Sequence, residues 1–401
     1  MSATREPRSA PPDADAAPFA GAGRLLFVVN DAIFFVSHRL PLAVAAARAG
    51  FDVGVVAAPE DRRAVQTVLD HGLAFHPWRL RRGGTNPATE AVSLLQLVGI
   101  YRRLRPRLVH HVAQKAVIYG SLAARAAGVP SIVNALTGLG WTFSDGGRGS
   151  VGRLVKRLHR FCHGRPNTRT IFQNPDDREL FVAERLAPSA QSRLIRGSGV
   201  DAEAFRPAER PVEAPIVVVP ARMLYDKGIV EVVEAARLLR ARRVPVEVRL
   251  VGPTDAHNPA AIPEATLRAW EAEVGVGVRW LGYTEDMVAA LQQARIACLP
   301  SHREGAPKAL IEAASCGLPI VTADVPGCRE VVHHEVNGLL VPRGDAAALA
   351  DALQALLASP ERCRALGRRG RERVLAEFTI GRVVAQTFDV YRELLDERAP
   401  G

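Results

Sequence analysis

Short apolar runs alternate with helix-patterned stretches along most of the chain, and this alternation restricts the fold more than any other feature. Leu25–Val29, Val53–Ala57, Leu108–His111, Ser131–Asn134, Thr170–Gln173 and Arg193–Ile195 read as buried strands. Leu40–Ala49, closed by Gly50, and a stretch near Val117–Ala127 read as helices between them. A proline-rich break at Phe205-Arg206-Pro207-Ala208-Glu209-Arg210-Pro211 follows. A second series then runs through Ile216–Pro220, Val246–Val251, Val278–Leu281, Ile296–Leu299 and Pro319–Thr322. Repeated β-α-β units demand a parallel sheet covered on both faces. The predicted class is α/β, with two Rossmann-like domains over 24–196 and 215–379 and a linker at 197–214. Residues 1–23 lack an apolar core and read as a disordered tail.

Composition narrows the function. Of 401 residues, 48% are hydrophobic, enough for two cores. Lys and Arg number 52 against 42 Asp and Glu, a net charge of +10 that suits an acidic partner. Five scattered cysteines form no Cys-x-x-Cys, so neither a disulfide framework nor a zinc site is indicated, and a reducing cytoplasm fits. No run reaches transmembrane length. The Asp13-Ala14-Asp15 triplet falls in the tail and reads as solvated charge. No Gly-x-Gly-x-x-Gly follows the first strand, which disfavours a plain NAD-binding domain, and no nucleic-acid motif accompanies the basic charge.

The chemistry concentrates at Arg303-Glu304-Gly305-Ala306-Pro307-Lys308-Ala309-Leu310-Ile311-Glu312. Gly305 permits a tight backbone, and Pro307 suits the first position of a helix over Lys308–Cys316, stopped by Gly317-Leu318-Pro319. Glu304 then precedes the helix and Glu312 lies two turns inside, separated by about 12 Å of helical rise. Free N–H groups and the positive helix end lie between two hydroxyl-accepting carboxylates. A nucleotide-sugar has that layout: sugar hydroxyls, diphosphate, ribose hydroxyls. Upstream, the strand Ile216–Pro220 runs into a loop carrying Arg222 and Lys227, two cations placed to meet a diphosphate. Gly252 and the Gly282-Tyr283 pair follow strands and would shape a base pocket.

The run from Ile296 to Asp345 resembles the donor-binding half of the retaining GT-B glycosyltransferases of family four. The resemblance rests on Cys298-Leu299-Pro300-Ser301, the Glu304–Glu312 motif, Ala314-Ser315-Cys316-Gly317-Leu318-Pro319-Ile320-Val321, Gly327-Cys328-Arg329-Glu330 and Asn337-Gly338-Leu339-Leu340-Val341-Pro342. It implies two parallel-sheet domains facing across a cleft, and a last helix, within 380–401, crossing back to the first. It gives Arg222 and Lys227 the leaving diphosphate and Glu304 the donor sugar. Glu312 would take the ribose, and Gly305, Ala306 and Pro307 would line the space between. It also implies transfer without a metal or other cofactor.

The Ser37-His38-Arg39 and Thr137-Gly138-Leu139-Gly140 segments resemble a bacterial subgroup that adds hexosamines to polyprenyl-diphosphate-linked saccharides. This implies a UDP-sugar donor, a lipid-linked acceptor and a role in surface polysaccharide or glycan assembly. The implied location is the inner face of the cell membrane. His38, Lys115, Thr137 and Gly138 are the candidates on the acceptor side. Thr137 stands where many members carry histidine, which puts a single general base in doubt. A basic amphipathic helix over Arg148–Arg165 could lie on anionic lipid, with Val151, Leu154, Val155, Leu158, Phe161 and Cys162 as its apolar face. The alternatives are a family member with a soluble acceptor, a nucleotide-sugar 2-epimerase on the same fold, and a non-catalytic nucleotide-sugar binding module.

Overall fold

The structure is a computed structural model that describes residues 18–80, 86–139, 150–210, 212–255 and 258–397. Most of the apolar runs form strands buried on both faces, as continuous hydrophobic segments do in a covered parallel sheet, whereas Val278–Gly282 at a sheet edge exposes Arg279 and Leu281. In chain order the first half contains β1 (Arg24–Asp31), α1 (Ala32–His38), α2 (Leu40–Arg48), β2 (Asp52–Ala58), α3 (Arg62–Asp70), β3 (Ala74–Pro77) and α4 (Pro87–Leu104). It continues with β4 (Leu108–Val112), α5 (Gln114–Ala127), β5 (Ser131–Leu136), α6 (Ser150–His163), β6 (Thr168–Phe172), α7 (Pro175–Ala183) and β7 (Ser192–Leu194). The second half contains β8 (Ile216–Pro220), α8 (Ile229–Ala241), β9 (Glu247–Val251), α9 (Glu264–Ala272), β10 (Val278–Gly282), α10 (Met287–Gln292) and β11 (Ile296–Leu299). It ends with α11 (Lys308–Ser315), β12 (Ile320–Ala323), α12 (Cys328–Val331), β13 (Gly338–Val341), α13 (Ala346–Leu357), α14 (Pro360–Glu377) and α15 (Ile380–Asp396).

Among the described residues these strands build two parallel sheets. One has the order β3-β2-β1-β4-β5-β6-β7 and the other β10-β9-β8-β11-β12-β13. Each order reverses at one place, beside β1 and β4 in the first and beside β8 and β11 in the second. Ligands of open α/β sheets bind outside the carboxyl ends of the strands at such switch points. The second switch point carries the loops of Arg222–Lys227 and Ser301–Gly305. The first carries α1 and the start of α5.

α15 leaves the second half and packs on the first. Tyr391 is fully buried there, and its hydroxyl meets His110 Nδ1 at 2.7 Å. The chain passes between the halves at two adjoining points, where Val200 N–H donates to Phe378 O at 2.9 Å and Ile380 N–H to Val200 O at 3.2 Å.

Three details differ from the sequence expectation. Phe19, inside the segment read as a tail, is buried against Phe51, Phe388 and Tyr391, because α15 supplies aromatic partners that no local pattern announces. Residues 1–17, including the Asp13-Ala14-Asp15 triplet, lie outside the described residues. Pro307 is the N-cap of α11, with φ −70° and ψ 109°, one position before the helix instead of its first residue. On α6, Leu154 and Phe161 of the expected apolar face are exposed, while His159, Cys162 and His163 are buried. The inward face bonds through histidines: His163 Nδ1 meets Thr170 Oγ1 at 2.8 Å, and His159 and His163 stack. A hydropathy pattern assigns such a face to solvent.

Candidate active site

The loop leaving β8 carries one cation into a carboxylate. Lys227 Nζ lies 2.6 Å from Glu304 Oε1, which also accepts from Ser301 Oγ at 2.7 Å. Both charged side chains are largely withdrawn from water, at 19% and 13% exposure. Lys227 reaches this place through a turn that only glycine closes easily. Gly228 has φ +72°, and a Cβ there would stand 2.3 Å from Pro300 O.

Arg222 is half-exposed and pairs with Asp255 at 2.8 Å. Glu312 is buried on α11 and paired with Lys308, one turn earlier. Among the described residues, the N–H groups of Gly305 and Ala306 make no hydrogen bond within the protein. The loop before α11 therefore carries two backbone donors without a protein partner next to Glu304. Gly252 packs its α-carbon against the Ala221 carbonyl. Gly282 is open, and Tyr283 is exposed.

The first half faces this cluster. His38 ends α1, stacks on Phe34 with ring centroids 4.3 Å apart, and bonds Ser37 Oγ through Nδ1 at 2.7 Å. Burial lowers its pKa to about 3, with help from Arg39 and from Lys308 and Arg222 of the second half. The imidazole is thus neutral at pH 7 and looks onto cations. Phe35, beside it, belongs to the core. Thr137 and Gly138 lie against Gly305: a Cβ on Gly305 would fall 2.2 Å from Thr137 O. Lys115 lies deeper between α4 and α5, paired with Glu90 at 2.9 Å, and Tyr119 shares that carboxylate. His110 is a core histidine, bonded to Tyr391. Trp141 and Gly140 fall outside the described residues.

Several site groups escaped the sequence reading. Asp255 and Lys308 partner Arg222 and Glu312. Arg303, Asn174 and Asp177 join the two halves beside Glu304. Asn174-Pro175 with Asp177 three residues on is a helix-start signature, which marks α7 but not its partner across the cleft. Among the described residues no group of three or more His, Cys, Asp or Glu could hold a metal ion.

Two doubly wound parallel sheets with a cation–carboxylate cluster at a switch point match the GT-B fold. Comparison with known proteins agrees. The Glycosyl transferases group 1 family matches residues 200–373, and the Glycosyl transferase 4-like family matches residues 24–171. Sucrose-phosphate synthase from Thermosynechococcus elongatus superposes with a TM-score of 0.75 at 22% identity, covering 93% of this chain and 100% of that one. Anabaena HepE, solved in complex with UDP, gives 0.73 at 17% identity, covering 92% and 100%. The N,N'-diacetylbacillosaminyl-diphospho-undecaprenol alpha-1,3-N-acetylgalactosaminyltransferase of Campylobacter jejuni is 28% identical over 352 residues, 81% of this chain and 89% of its own length. The UDP-Gal:alpha-D-GlcNAc-diphosphoundecaprenol alpha-1,3-galactosyltransferase of Escherichia coli is 25% identical over 316 residues, 76% of this chain and 81% of its own. The chain belongs to the GT-B glycosyltransferases, with a 4-like first half and a group 1 second half.

Proposed function

We propose that this protein is a retaining hexosyltransferase that moves a hexose or N-acetylhexosamine from a UDP-sugar to a polyprenyl-diphosphate-linked saccharide. The observation that carries the reading is the Lys227–Glu304 pair at the second switch point, beside the unpaired N–H groups of Gly305 and Ala306 in the loop before α11. Glu304 accepts from the donor sugar's hydroxyls and Glu312 from the ribose. Arg222 and Lys227 neutralise the charge that grows on the departing UDP, and fixed cations do so without reorganising. The departing phosphate takes the acceptor proton on the same face, so no separate base is required. Residues 215–379 hold the donor, and 24–196 hold the acceptor around His38, Thr137 and Gly138. The acceptor class is supported by the names of the Campylobacter and Escherichia relatives.

A lipid-linked acceptor brings the first half to a membrane, and α6 is suited to that contact. Leu154 and Phe161 are 56% and 46% exposed, beside exposed Arg153 and Arg157. Lys156 is tied to Glu184, and Arg160 donates to the carbonyls of Glu184 and Arg185. The membrane-facing charge is therefore Arg153 and Arg157, fewer cations than the sequence alone suggests. The test is incubation with a panel of UDP- and GDP-sugars and both lipid-linked and soluble acceptors. Transfer to lipid-linked saccharide with retained anomeric configuration supports the reading. Epimerised donor without transfer would overturn it.

A further inference from the structure

Glu304 points its carboxylate into the second half, yet both of its neighbours are held by the first. Arg303 donates to Asp177 Oδ1 at 2.6 Å, and the Asp177 side chain is 3% exposed. Gly305 O accepts from Asn174 Nδ2 at 2.9 Å, and Asn174 is fully buried. The same amide donates to Asp177 Oδ2 at 3.1 Å, while Asn174 Oδ1 caps α7 by accepting from the Asp177 N–H at 2.8 Å. Asn174 and Asp177 are thus one hydrogen-bonded unit that grips the chain on either side of the donor-sugar carboxylate. Two of the other charge pairs between the halves are different in kind. Arg63–Glu285 is 86% and 68% exposed, and Arg329–Asp176 is 40% and 44% exposed. Exposed pairs contribute little, whereas losing one partner of a buried pair leaves an uncompensated charge.

We propose that Asn174 and Asp177 are positioning residues for the transfer reaction: they register the Glu304 segment against the acceptor half, so that donor sugar and acceptor meet in a reactive geometry. The proposal rests on the reading of Glu304 as the donor-sugar contact. The donor's own partners, Lys227, Arg222 and Glu312, all belong to the second half. Releasing the grip therefore leaves nucleotide binding in place and removes the alignment between the two substrates. Misplacement of reacting groups by about 1 Å costs roughly 10²-fold in rate.

The test uses the full chain with Asp177→Asn, Arg303→Gln and Asn174→Ser. Serine retains a side-chain cap for α7 but is too short to reach Gly305 O. Expected results are a kcat for transfer lowered about 10²-fold, and a UDP affinity, measured by calorimetry, changed by less than about threefold. Asp177→Asn and Arg303→Gln should be non-additive when combined, since both break one contact. Small-angle X-ray scattering should show a larger radius of gyration for each variant than for the parent. Asn174→Ser transferring at the parental rate, or variants losing UDP affinity in proportion to kcat, would overturn the proposal. If the parent transfers from no donor, the functional reading falls. The scattering comparison then decides the grip alone, and unchanged radii overturn it.

Discussion

Replacing Gly305 with alanine gives a quantitative probe of how tightly the halves meet. Gly305 does not have a positive φ, so alanine suits its backbone, and the three atoms nearest an added Cβ all belong to the first half. The added Cβ would stand 2.2 Å from Thr137 O, 2.6 Å from Thr137 C and 2.7 Å from Gln173 Oε1, where real contacts essentially never fall below 3.0 Å. The Thr137 carbonyl is main chain and cannot rotate out of the way. The gap must therefore widen by 3.0 − 2.2 = 0.8 Å along that line. A shift of about 1 Å between reacting partners costs roughly 10²-fold, so kcat for transfer should fall by about that factor. Steady-state transfer should be measured beside calorimetric titration with UDP, whose proposed charged partners lie in the second half. Trimming Gln173 to alanine in the same chain should restore little, because the shortest contact is to backbone. A Gly305→Ala enzyme as fast as the parent would refute the argument. So would one that loses UDP binding as severely as transfer.

Three other outcomes are expected. Lys227→Ala should lower kcat by about 10²-fold or more, the scale for losing one fixed transition-state charge partner, and parental activity should survive a strong chelator; activity abolished by chelation and restored by manganese would contradict this. Changing Arg153 and Arg157 to Gln should weaken binding to anionic liposomes by about 2 kcal/mol, at roughly 1 kcal/mol each, while Lys156→Gln should matter less; equal effects in a sedimentation assay would argue against the assigned face. Stability should fall on acidification, because burial holds His111 and His159 at about 4 and holds His110 and His163 well below the usual imidazole range. Below pH 6.5 the unfolded chain takes up protons that these native histidines refuse, so each costs about 1.4 kcal/mol per pH unit, and a urea midpoint unchanged between pH 7 and pH 5 would refute the assignment.

The strands were legible because a covered parallel strand is apolar without interruption, and Ile216–Pro220 and Ile296–Leu299 fall where their residues put them. Short edge strand β3 was not legible: its Ala-Phe-His-Pro has no continuous apolar run and both its ends are exposed. Within the site, Lys227, Glu304 and Glu312 could be read because a strand end and a helix start are local signals. The contacts that hold the Glu304 segment against the first half could not. Arg303 and Asp177 are 126 residues apart, and neither carries a local mark of the other. α6 shows the opposite failure. A strong local signal was present, but buried histidines took the inward face that hydropathy assigns to Leu154 and Phe161.

The packing of α15 on the first sheet sets an order of assembly during synthesis. His110 waits for the Tyr391 hydroxyl, 281 residues downstream. At about 5–20 residues per second a ribosome needs roughly 15–60 s to cover that distance. Through that interval Phe19, Phe51 and the α15-facing strand residues lack the aromatic partners that cover them in the finished molecule. The half made first is then the half completed last, and the second sheet can close around its own core before the first is sealed. Its nascent chain is a natural client for a holdase. A gene cut at the linker should yield an aggregating first fragment unless the 380–397 segment is supplied with it.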